Sequence, residues 1–480
     1  MSAEPRVVIV GAGPAGIRAA ETIVGAGIRP IVIDENPTWG GQIYRQPPAN
    51  AGFRRTKKDL YGFEAAKADS LHAAMAALLP KVDYRAETLV WACEPGHVET
   101  LSGGRPGRVA FSHLIIASGA TDRVLPLQGW TLPGVYTLGG AQIALKAQGC
   151  AIGSNVVLAG TGPLLYLVAY QYCKAGANVV AVLDTSPFLR QAMALPKLSR
   201  QPATLAKGIY YLSWLKAKGI RIEFNVSLIS FEGERAISGV RWKRNKDAAT
   251  SASARWIDCD SVGVSFGLRP ETQLADLAGC RFRYDTLNCC WLPEQDSAGR
   301  SSVTGVYLAG DGAGIAGADA AELAGRRVGL ALLSDLGIAH SRGDGTSDVD
   351  TLERKLKRIA VFRSGIETAF APPKNPAGAW PDNLTICRCE EIAAGTLRHC
   401  IRSGQATEIN RLKALTRVGM GRCQGRMCGE AAIALLAEEL GKTPEEVGRL
   451  RSQSPIKPIP ISPELNVDTL EIIPEGDRDE

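Results

Sequence analysis

Residues 6–35, RVVIVGAGPAGIRAAETIVGAGIRPIVIDE, decide the fold of the first part of this chain. An apolar run leads into a glycine turn, an amphipathic helical pattern, a second apolar run and two acids. Continuous apolar strands are typical of a parallel sheet that is covered on both faces. The stretch therefore predicts a βαβ unit, and with it an α/β protein.

The glycine turn of this unit has the spacing G-x-G-x-x-G, formed by Gly11, Gly13 and Gly16. In such a turn the first glycine allows the bend, the second lets a pyrophosphate approach the backbone, and the third lets helix and strand pack closely. Pro14 opens the helix, whose free N–H groups favour an anion. Asp34, followed by Glu35, is placed to hydrogen-bond a ribose hydroxyl. The pattern predicts a nucleotide site; a purely structural glycine turn is the alternative.

Residues 155–184, NVVLAGTGPLLYLVAYQYCKAGANVVAVLD, repeat the same order of elements. Gly160 and Gly162 take the first two glycine positions, but Leu165 takes the third. Its side chain is expected to push the helix from the strand and to crowd a pyrophosphate. Asp184 is placed to hold a ribose 2′-hydroxyl, which disfavours NADP. This second unit is expected either to bind NAD or another nucleotide, or to serve as scaffold.

Four cysteines near the C-terminus form two pairs, C-x-C and C-x4-C, separated by 33 residues: Cys387, Cys389, Cys423 and Cys428. The glycines around the second pair allow a loop to fold around a cluster and to turn N–H groups toward sulfur. Arg388, Arg422 and Arg426 would offset the charge of four thiolates. Zinc sites favour C-x2-4-C spacing, and the combination of C-x-C with C-x4-C fits such sites poorly. The motif predicts a [2Fe-2S] cluster, with zinc and unligated cysteines as alternatives.

Composition narrows the class of protein. The chain has 480 residues, a net charge of +6, 12 cysteines and five histidines. No run approaches the ~18 apolar residues of a membrane span, and the first apolar run is too short for a secretory signal. These features predict a cytoplasmic protein with reduced thiols and no transmembrane segment. The basic cluster at Arg54, Arg55, Lys57 and Lys58 is interpreted as a solvated loop, so no nucleic-acid partner is expected.

The first 340 residues resemble the flavoproteins with two dinucleotide-binding domains, and GMGRCQGRMC resembles the bacterioferritin-associated ferredoxin type of [2Fe-2S] domain. The flavoprotein resemblance implies that the first site holds FAD. It also implies that the GGQIYR segment, with Gly41 and Gln42, passes beside the flavin, and that Gly310 and Asp311 return to the cofactor. The small-residue turn at Ser118 and Gly119, which follows another apolar strand, is assigned to the same site.

The whole chain resembles the A (alpha) subunits of opine oxidases, with relatives in the second subunit of hydrogen cyanide synthase and in the corresponding subunits of proline and D-hydroxyproline dehydrogenases. The segments that carry this resemblance are DENPTWGGQIYR, GWTLPGVYTLGGAQ, AGTGPLL and CRCEE with TRVGMGRCQGRMC. It implies an electron-transfer subunit that works with a D-amino-acid-oxidase-like flavoprotein, the B subunit. There an opine or imino-acid substrate is oxidised to an imine, which hydrolyses to amino acid and keto acid.

The resemblance leaves several features open: FMN at a subunit interface, a small ferredoxin-like subunit, and peripheral contact with the inner membrane through the electron acceptor. No residue of this chain is assigned a catalytic role. Two other functions compete with this one. The first is a self-sufficient NADH-dependent reductase, and the second is an assembly protein with structural FAD and zinc.

These observations predict two Rossmann-like dinucleotide-binding domains and a small helical [2Fe-2S] domain. The expected order is FAD-binding domain (1–150), NAD(P)-binding-like domain (151–270), closing part of the FAD-binding domain (271–342), linker (343–383), [2Fe-2S] domain (384–450) and proline-rich tail (451–480). The tail has four prolines between residues 453 and 465, which predicts an extended arm rather than a packed element. This arm is a candidate docking element.

Overall fold

The computed structural model describes residues 4–47, 56–245, 254–338, 345–373 and 376–460. Its strands are β1 (Val7–Val10), β2 (Ile31–Ile33), β3 (Asp83–Arg85), β4 (Thr88–Glu94), β5 (His97–Ser102), β6 (Arg105–Ala110), β7 (His113–Ile116), β8 (Ala120–Asp122), β9 (Val135–Thr137), β10 (Asn155–Thr161), β11 (Asn178–Asp184), β12 (Arg221–Phe224), β13 (Val226–Glu232), β14 (Gly239–Arg244), β15 (Arg255–Asp258), β16 (Ser261–Phe266), β17 (Leu268–Pro270), β18 (Phe282–Asp285), β19 (Cys290–Pro293), β20 (Val306–Leu308), β21 (Thr385–Cys387) and β22 (Ile392–Ala393).

The α-helices are α1 (Pro14–Gly25), α2 (Lys57–Tyr61), α3 (Ala65–Leu78), α4 (Leu138–Ala147), α5 (Leu164–Lys174), α6 (Phe188–Met193), α7 (Leu195–Leu198), α8 (Pro202–Ala217), α9 (Gln273–Leu277), α10 (Ala318–Asp335), α11 (Gly345–Ala369), α12 (Ala394–Arg402), α13 (Ile409–Thr416) and α14 (Gly429–Leu440). None of the helices among the residues just given has the length and apolar character needed to cross a membrane.

The first sheet has the strand order β20-β7-β1-β2-β3, and all of its neighbouring pairs are parallel. Its central strand β1 is buried on both faces, as the apolar sequence predicts. Helices α1, α3 and α10 pack together over one face, with α1 against both of the others. Strands β2 and β3, which follow β1 in the chain, lie on one side of it, and the later strands β7 and β20 lie on the other. The strand order therefore reverses at β1. That is where ligands bind in open α/β sheets.

The second sheet repeats this plan with the order β12-β11-β10-β16-β9, again parallel throughout. The antiparallel pair β8–β17 lies where the chain passes between the two sheets. Three-stranded antiparallel sheets, β4-β5-β6 and β13-β14-β15, supplement the two units. The predicted fold class, two Rossmann-like units followed by a small cysteine-bearing unit, is confirmed.

The segment predicted as a linker contains the 25-residue helix α11, which packs on α6, α7 and α10. Its charged composition suits an exposed helix supported by ion pairs, as between Arg363 and Glu367 one turn apart. A second pair joins Glu353 to Arg327 of α10 with a 2.9 Å contact. The segment therefore connects the units as a packed helix.

The C-terminal unit consists of the β21–β22 hairpin and helices α12, α13 and α14, and α14 ends at Leu440. The arm that follows departs from the prediction. Ile456 is only 4% exposed, and its N–H group donates to the carbonyl of Trp91 at 3.0 Å. Lys457 pairs with Glu35. Residues 453–460 have no regular secondary structure, but the expectation that they are not packed is wrong, because one apolar side chain anchors them in the first unit. Residues 461–465 lie outside the described part.

The basic cluster is described only in part. Lys57 and Lys58 lie in α2, and Lys57 pairs with Asp69 at 2.7 Å. Arg54 and Arg55 lie outside the described residues.

Candidate cofactor sites

The first glycine turn is closed tightly by its own backbone. The Gly11 N–H group donates to the carbonyl of Ile33 at 2.8 Å, and Gly11 has a φ of +108°, a value that favours glycine. A Cβ on Gly16 would lie 1.8 Å from the Gly11 carbonyl oxygen. Helix α1 begins after Gly13 with no side-chain cap and no acid in its first turn. Its free N–H groups can therefore receive a phosphate.

The two acids after β2 have different surroundings. Asp34 is buried, and its carboxylate accepts from the Ala12 N–H at 2.6 Å and from the N–H and side-chain amide of Asn36, both at 2.8 Å. Burial raises the pKa of Asp34, and these hydrogen bonds oppose the rise. Glu35 is exposed and pairs with Lys457 of the arm. Asp34 thus holds the glycine turn in shape, and Glu35 is the more accessible acid for a ribose.

The remaining residues predicted for this site come together around the same turn. Gly41 faces Gly13, since a Cβ on Gly41 would lie 3.0 Å from the Gly13 α-carbon. The Gly310 backbone approaches Ala15 of α1, and Ser118 lies beside the turn that carries Asp311. The Asp311 carboxylate accepts from the N–H groups of Ala316 and Gly317 at 2.8 and 2.9 Å. Gly119 adjoins open space, and Gln42 is exposed and accepts from Arg45.

This arrangement fits a dinucleotide such as FAD. Three backbone segments that lack side chains, at Gly13, Gly41 and Gly119, border one region at the carboxyl end of the first sheet. A side chain at either Gly13 or Gly41 would fill the place where a pyrophosphate approaches. Glu35 offers an acceptor at one end of this region, and the turn at Asp311 closes the other.

The second glycine turn is built differently. Asp184 has 0% exposure, and it accepts hydrogen bonds from Tyr166, the N–H of Ser186 and the amide of Gln191. Leu165, at the third glycine position, is fully buried. Burial raises the pKa of Asp184, against these hydrogen bonds. A ribose could reach Asp184 only by displacing Tyr166.

The end of α11 adds to this closure. The hydroxyl of Thr161, between the two glycines of the turn, donates to the carbonyl of Phe370 at 3.3 Å. Gly162 itself adjoins open space, and Gly160 is held against Ser265 of β16. The turn therefore keeps room for a small group beside Gly162, whereas the acid that should select a ribose is already satisfied.

The four cysteines of the C-terminal motif lie together. The Cys428 thiol hydrogen-bonds to the sulfur atoms of Cys387 and Cys423, and Cys423 also contacts Cys389. The contact with Cys428 lowers the pKa of Cys387 to about 6 and that of Cys423 to about 5, against the effect of burial. Cys400, inside the gap between the pairs, is buried in the apolar core of the unit.

Backbone N–H groups surround these sulfur atoms. Cys387 accepts from three of them and Cys423 from two, while one reaches Cys389; the donors are Cys389, Glu390 and Gly419, then Gly425 and Met427, then Cys423. Gly419 and Gly425 have φ values of +83° and +78°. A Cβ on Gly421 would lie 2.4 Å from the Cys389 Cβ. The loop therefore needs its glycines in order to fold around the four cysteine side chains.

This donor set of four cysteine side chains fits an iron–sulfur cluster. A [2Fe-2S] cluster takes four thiolates, two on each iron, so its ligands need not converge on one point. Hydrogen bonds from backbone N–H groups to the sulfur atoms are a further feature of such sites.

The cysteine loop is docked on the first unit through Glu271, Gln273 and Asp276, which the sequence did not single out. The Arg426 guanidinium pairs with Glu271 at 2.7 and 3.1 Å. Arg449 pairs with Asp276 in the same two-pronged way, at 2.6 and 2.7 Å. The Gln273 amide donates to the carbonyl of Gln424 at 2.6 Å. Glu271, Gln273 and Asp276 belong to no recognisable motif, because the partner of each lies more than 150 residues away in the chain.

A cavity of about 1190 Å³ lies beside the cysteine loop. The loop contributes Gly425 and Gly429, the β18–β19 hairpin contributes Tyr284, and α6 contributes Met193. Near this rim, α6 and α7 expose a ridge of large apolar side chains, namely Phe188 (66%), Leu189 (70%), Met193 (69%) and Leu195 (50%). Exposed apolar patches of this kind mark interaction sites.

Comparisons with known proteins agree with this geometry. Residues 5–326 match the family Pyridine nucleotide-disulphide oxidoreductase, and residues 385–438 match the BFD-like [2Fe-2S] binding domain. The opine oxidase A subunit of Agrobacterium tumefaciens (strain Ach5) is 37% identical over 466 residues, covering 94% of this chain and 90% of that protein. The hydrogen cyanide synthase component HcnB of Pseudomonas aeruginosa is 30% identical, with coverage of 97% and 99%.

Among solved structures, L-proline dehydrogenase from P. horikoshii superposes with a TM-score of 0.68 at 20% sequence identity. The match covers 95% of this chain and 78% of the other. It shows that the two proteins share a fold through both dinucleotide-binding units and the cysteine-bearing unit.

Proposed function

Because the chain belongs to the family of opine oxidase A subunits, flavin oxidoreductase components that carry FAD and a [2Fe-2S] cluster, we propose that it is the electron-transfer subunit of a hetero-oligomeric opine oxidase or dehydrogenase. The observation that carries this proposal is the docking of the cysteine loop on the unit that holds the first glycine turn, through Glu271 and Arg426. Two redox centres held against each other suit electron transfer within one chain.

FAD is proposed to bind the first unit. Its pyrophosphate would approach Gly13 and the N-terminus of α1, while Glu35 accepts from the ribose and Asp34 holds the turn. Gly41, Gln42, Ser118 and Gly119, with Gly310 and Asp311, would border the rest of the cofactor. When bound, FAD supplies a two-electron acceptor that can pass electrons on singly; the cluster would be held by Cys387, Cys389, Cys423 and Cys428.

The second unit is proposed to act as scaffold and not as an NAD(P)H site. The contact of Tyr166 with Asp184, the buried Leu165 and the seating of Phe370 over Thr161 all support this. The self-sufficient NADH reductase, which requires a working nicotinamide site, is correspondingly disfavoured. The open space beside Gly162 is the feature that favours a bound group there.

The substrate is proposed to be an opine or related N-substituted amino acid, oxidised at a CH–NH bond. Two electrons and two protons leave the amine, and water then hydrolyses the imine to an amino acid and a keto acid. The bond is proposed to break in a B subunit that resembles D-amino-acid oxidases. The names of the relatives, an opine oxidase A subunit and HcnB, support a partner chain. A component of hydrogen cyanide synthase or of D-hydroxyproline dehydrogenase is the alternative within the same family.

The apolar ridge of α6 and α7 is proposed as the face that receives this partner. It borders the cavity that reaches the cysteine loop, so a chain seated on the ridge would lie beside the cluster. Phe188, Leu189 and Met193 are each about two-thirds exposed, which is an unfavourable arrangement in water unless another surface covers them.

The test is anaerobic addition of octopine or nopaline to the isolated chain and to its complex with a D-amino-acid-oxidase-like B subunit. We expect the rhombic EPR signal of a reduced [2Fe-2S] cluster in the complex and none in the isolated chain. Cluster reduction by an opine in the isolated chain would refute the divided active site. One zinc and no iron per chain would refute the electron-transfer role.

The ligand assignment has a matched control. Cys423→Ala should abolish the EPR signal of the dithionite-reduced protein, because four thiolates are needed to hold the cluster. Cys400→Ser, which changes a buried cysteine of the same unit outside the two cysteine pairs, should leave the signal and the iron content unchanged. An intact signal in Cys423→Ala would remove that residue from the ligand set.

A further inference from the structure

Glu271 joins the flavin-side turn to the cysteine loop. It follows β17, and its N–H group donates to the carbonyl of Gly119 at 2.9 Å. Its own carbonyl accepts from the Ser118 hydroxyl at 2.6 Å. Hydrogen bonds to its N–H and to its carbonyl therefore hold the Glu271 backbone against the Ser118–Gly119 turn, which is proposed to border the flavin. Its side chain leaves this turn toward the cysteine loop.

Arg426 receives that side chain from within the loop, between the second pair of cysteines. Its guanidinium binds both carboxylate oxygens of Glu271 and also donates to the carbonyl of Ile456 at 2.5 Å. Its backbone N–H donates to the carbonyl of Cys423 at 3.1 Å, and its carbonyl accepts from Arg269. Hydrogen bonds made by the backbone and side chain of Glu271 and of Arg426 thus connect Ser118 to Cys423.

The pair is largely buried, with 12% of the Glu271 side chain and 14% of the Arg426 side chain exposed. A planar guanidinium that binds a carboxylate with two parallel bonds fixes both distance and orientation. Breaking one partner of such a pair leaves a buried charge uncompensated. The sequence predicts that Arg426 offsets the charge of the thiolates. Because Glu271 already balances the charge of Arg426, this is not the main role of Arg426 here.

We propose that the Glu271–Arg426 pair is a positioning element for electron transfer, which holds the cluster loop at a fixed separation from the flavin turn. This inference rests on the proposed function, since it takes Cys423 as a cluster ligand and the Ser118–Gly119 turn as part of the flavin site. It goes further in naming the residues that set the geometry between the two centres.

The test compares Arg426→Lys and Glu271→Gln with Arg417→Gln. Lysine keeps the positive charge but cannot form the two parallel bonds, so it separates positioning from charge. Arg417 forms an exposed ion pair with Glu390 inside the cluster unit and does not reach the first unit, which makes it the matched control. The Arg449–Asp276 pair also joins the two units, so the variants should keep the cluster unit docked.

Flavin-to-cluster electron transfer is measured by flash photoreduction of the FAD in the full chain, together with FAD content, iron content and the cluster midpoint potential. We expect Arg426→Lys and Glu271→Gln to keep both cofactors and to slow the transfer several-fold, with little change in potential for the lysine variant. Arg417→Gln should transfer at the wild-type rate. If a variant loses iron, the other variant at the pair provides the measurement.

Wild-type rates in both Arg426→Lys and Glu271→Gln would overturn the inference and leave the proposed function intact. A slowed rate that follows a changed midpoint potential would also overturn it, because the role would then be electrostatic. A wild-type chain with no [2Fe-2S] EPR signal, or with no transfer between flavin and cluster, would instead refute the proposed function, and this inference with it.

Discussion

His72 lies beneath the segment that is proposed to pass beside the flavin. Its Nε2 atom lies 2.9 Å from the carbonyl oxygen of Tyr44, and a Cβ on Gly40 would lie 2.8 Å from the same nitrogen. The ring is buried, and its Nδ1 atom has no hydrogen-bond partner among the described residues. Burial lowers the pKa of His72, while the contact with the Tyr44 carbonyl opposes the shift. A proton on this ring would therefore place an unpaired charge below the cofactor segment.

The sign of this shift predicts a loss of stability in acid. The unfolded chain has the ordinary histidine pKa of about 6.5, so it binds more protons than the folded chain as the pH falls through that value. The free energy of unfolding should decrease below about pH 6.5, by up to about 1.4 kcal/mol per pH unit for this one group. Thermal melts from pH 7.5 to 5.5 should show a smaller fall in Tm for His72→Gln than for wild type, since the amide can still donate to Tyr44.

His399→Gln is the control for this experiment, because His399 is exposed. It should follow the wild-type dependence on pH. Equal slopes for His72→Gln and wild type would show that other groups cause the acid sensitivity.

At the scale of the elements, the first turn of α5 predicts which reductants the protein accepts. Neither NADH nor NADPH should reduce the flavin rapidly, because Tyr166 takes the acid that a ribose needs and Leu165 fills the third glycine position. Asp184 would in addition repel a 2′-phosphate. Stopped-flow mixing with each nucleotide checks this, and dithionite serves as the positive control. Rapid flavin bleaching by either nucleotide would show that the second site opens.

The arm at residues 453–460 gives a second prediction for a single element. Ile456→Asp places a carboxylate in an apolar pocket, so it should destabilise the protein by about 2–4 kcal/mol and release the arm. Loss of the arm also removes the Lys457 contact from Glu35, so purified protein should retain less FAD. Denaturant unfolding and the flavin-to-protein absorbance ratio measure the two effects. Pro458→Ala, at an exposed position, should change neither.

The elements that sequence patterns foresee are those whose structure is decided within about thirty residues. The glycine turn at residues 11–16, the strands beside it and the cysteine loop all follow from local spacing. FAD and the family were implied by the resemblance that these segments carry, and the comparisons confirm both. Four prolines predict an extended arm, but they carry no information on where Ile456 is buried. Glu271 looks like any surface acid in the sequence, because its partner lies 155 residues away.

At the scale of the whole molecule, the described contacts fix the three units against each other. The pairs Glu271–Arg426 and Arg449–Asp276 hold the cluster unit on the first unit, and α11 packs against both α10 and the α6–α7 region. The first two units also meet where Lys146 donates to the carbonyl of Ile43 at 3.1 Å. Because the three units are fixed against each other, the distance from the cluster to a redox centre in a partner depends on where that partner docks.

The apolar ridge on α6 and α7 should therefore decide whether the complex forms. Leu189→Glu and Met193→Glu each place a charge at the centre of the ridge, where both side chains are about 70% exposed, so the isolated chain should fold normally and keep its FAD and its EPR signal. Affinity purification from cells that also express the B subunit should then recover much less of that partner, because the charge must be desolvated on docking. Ile209→Glu changes a second exposed apolar surface, on α8, and serves as the matched control. Loss of the partner in Ile209→Glu, with both ridge variants unaffected, would move the docking face to α8 and leave the cavity beside the cluster uncovered by the partner.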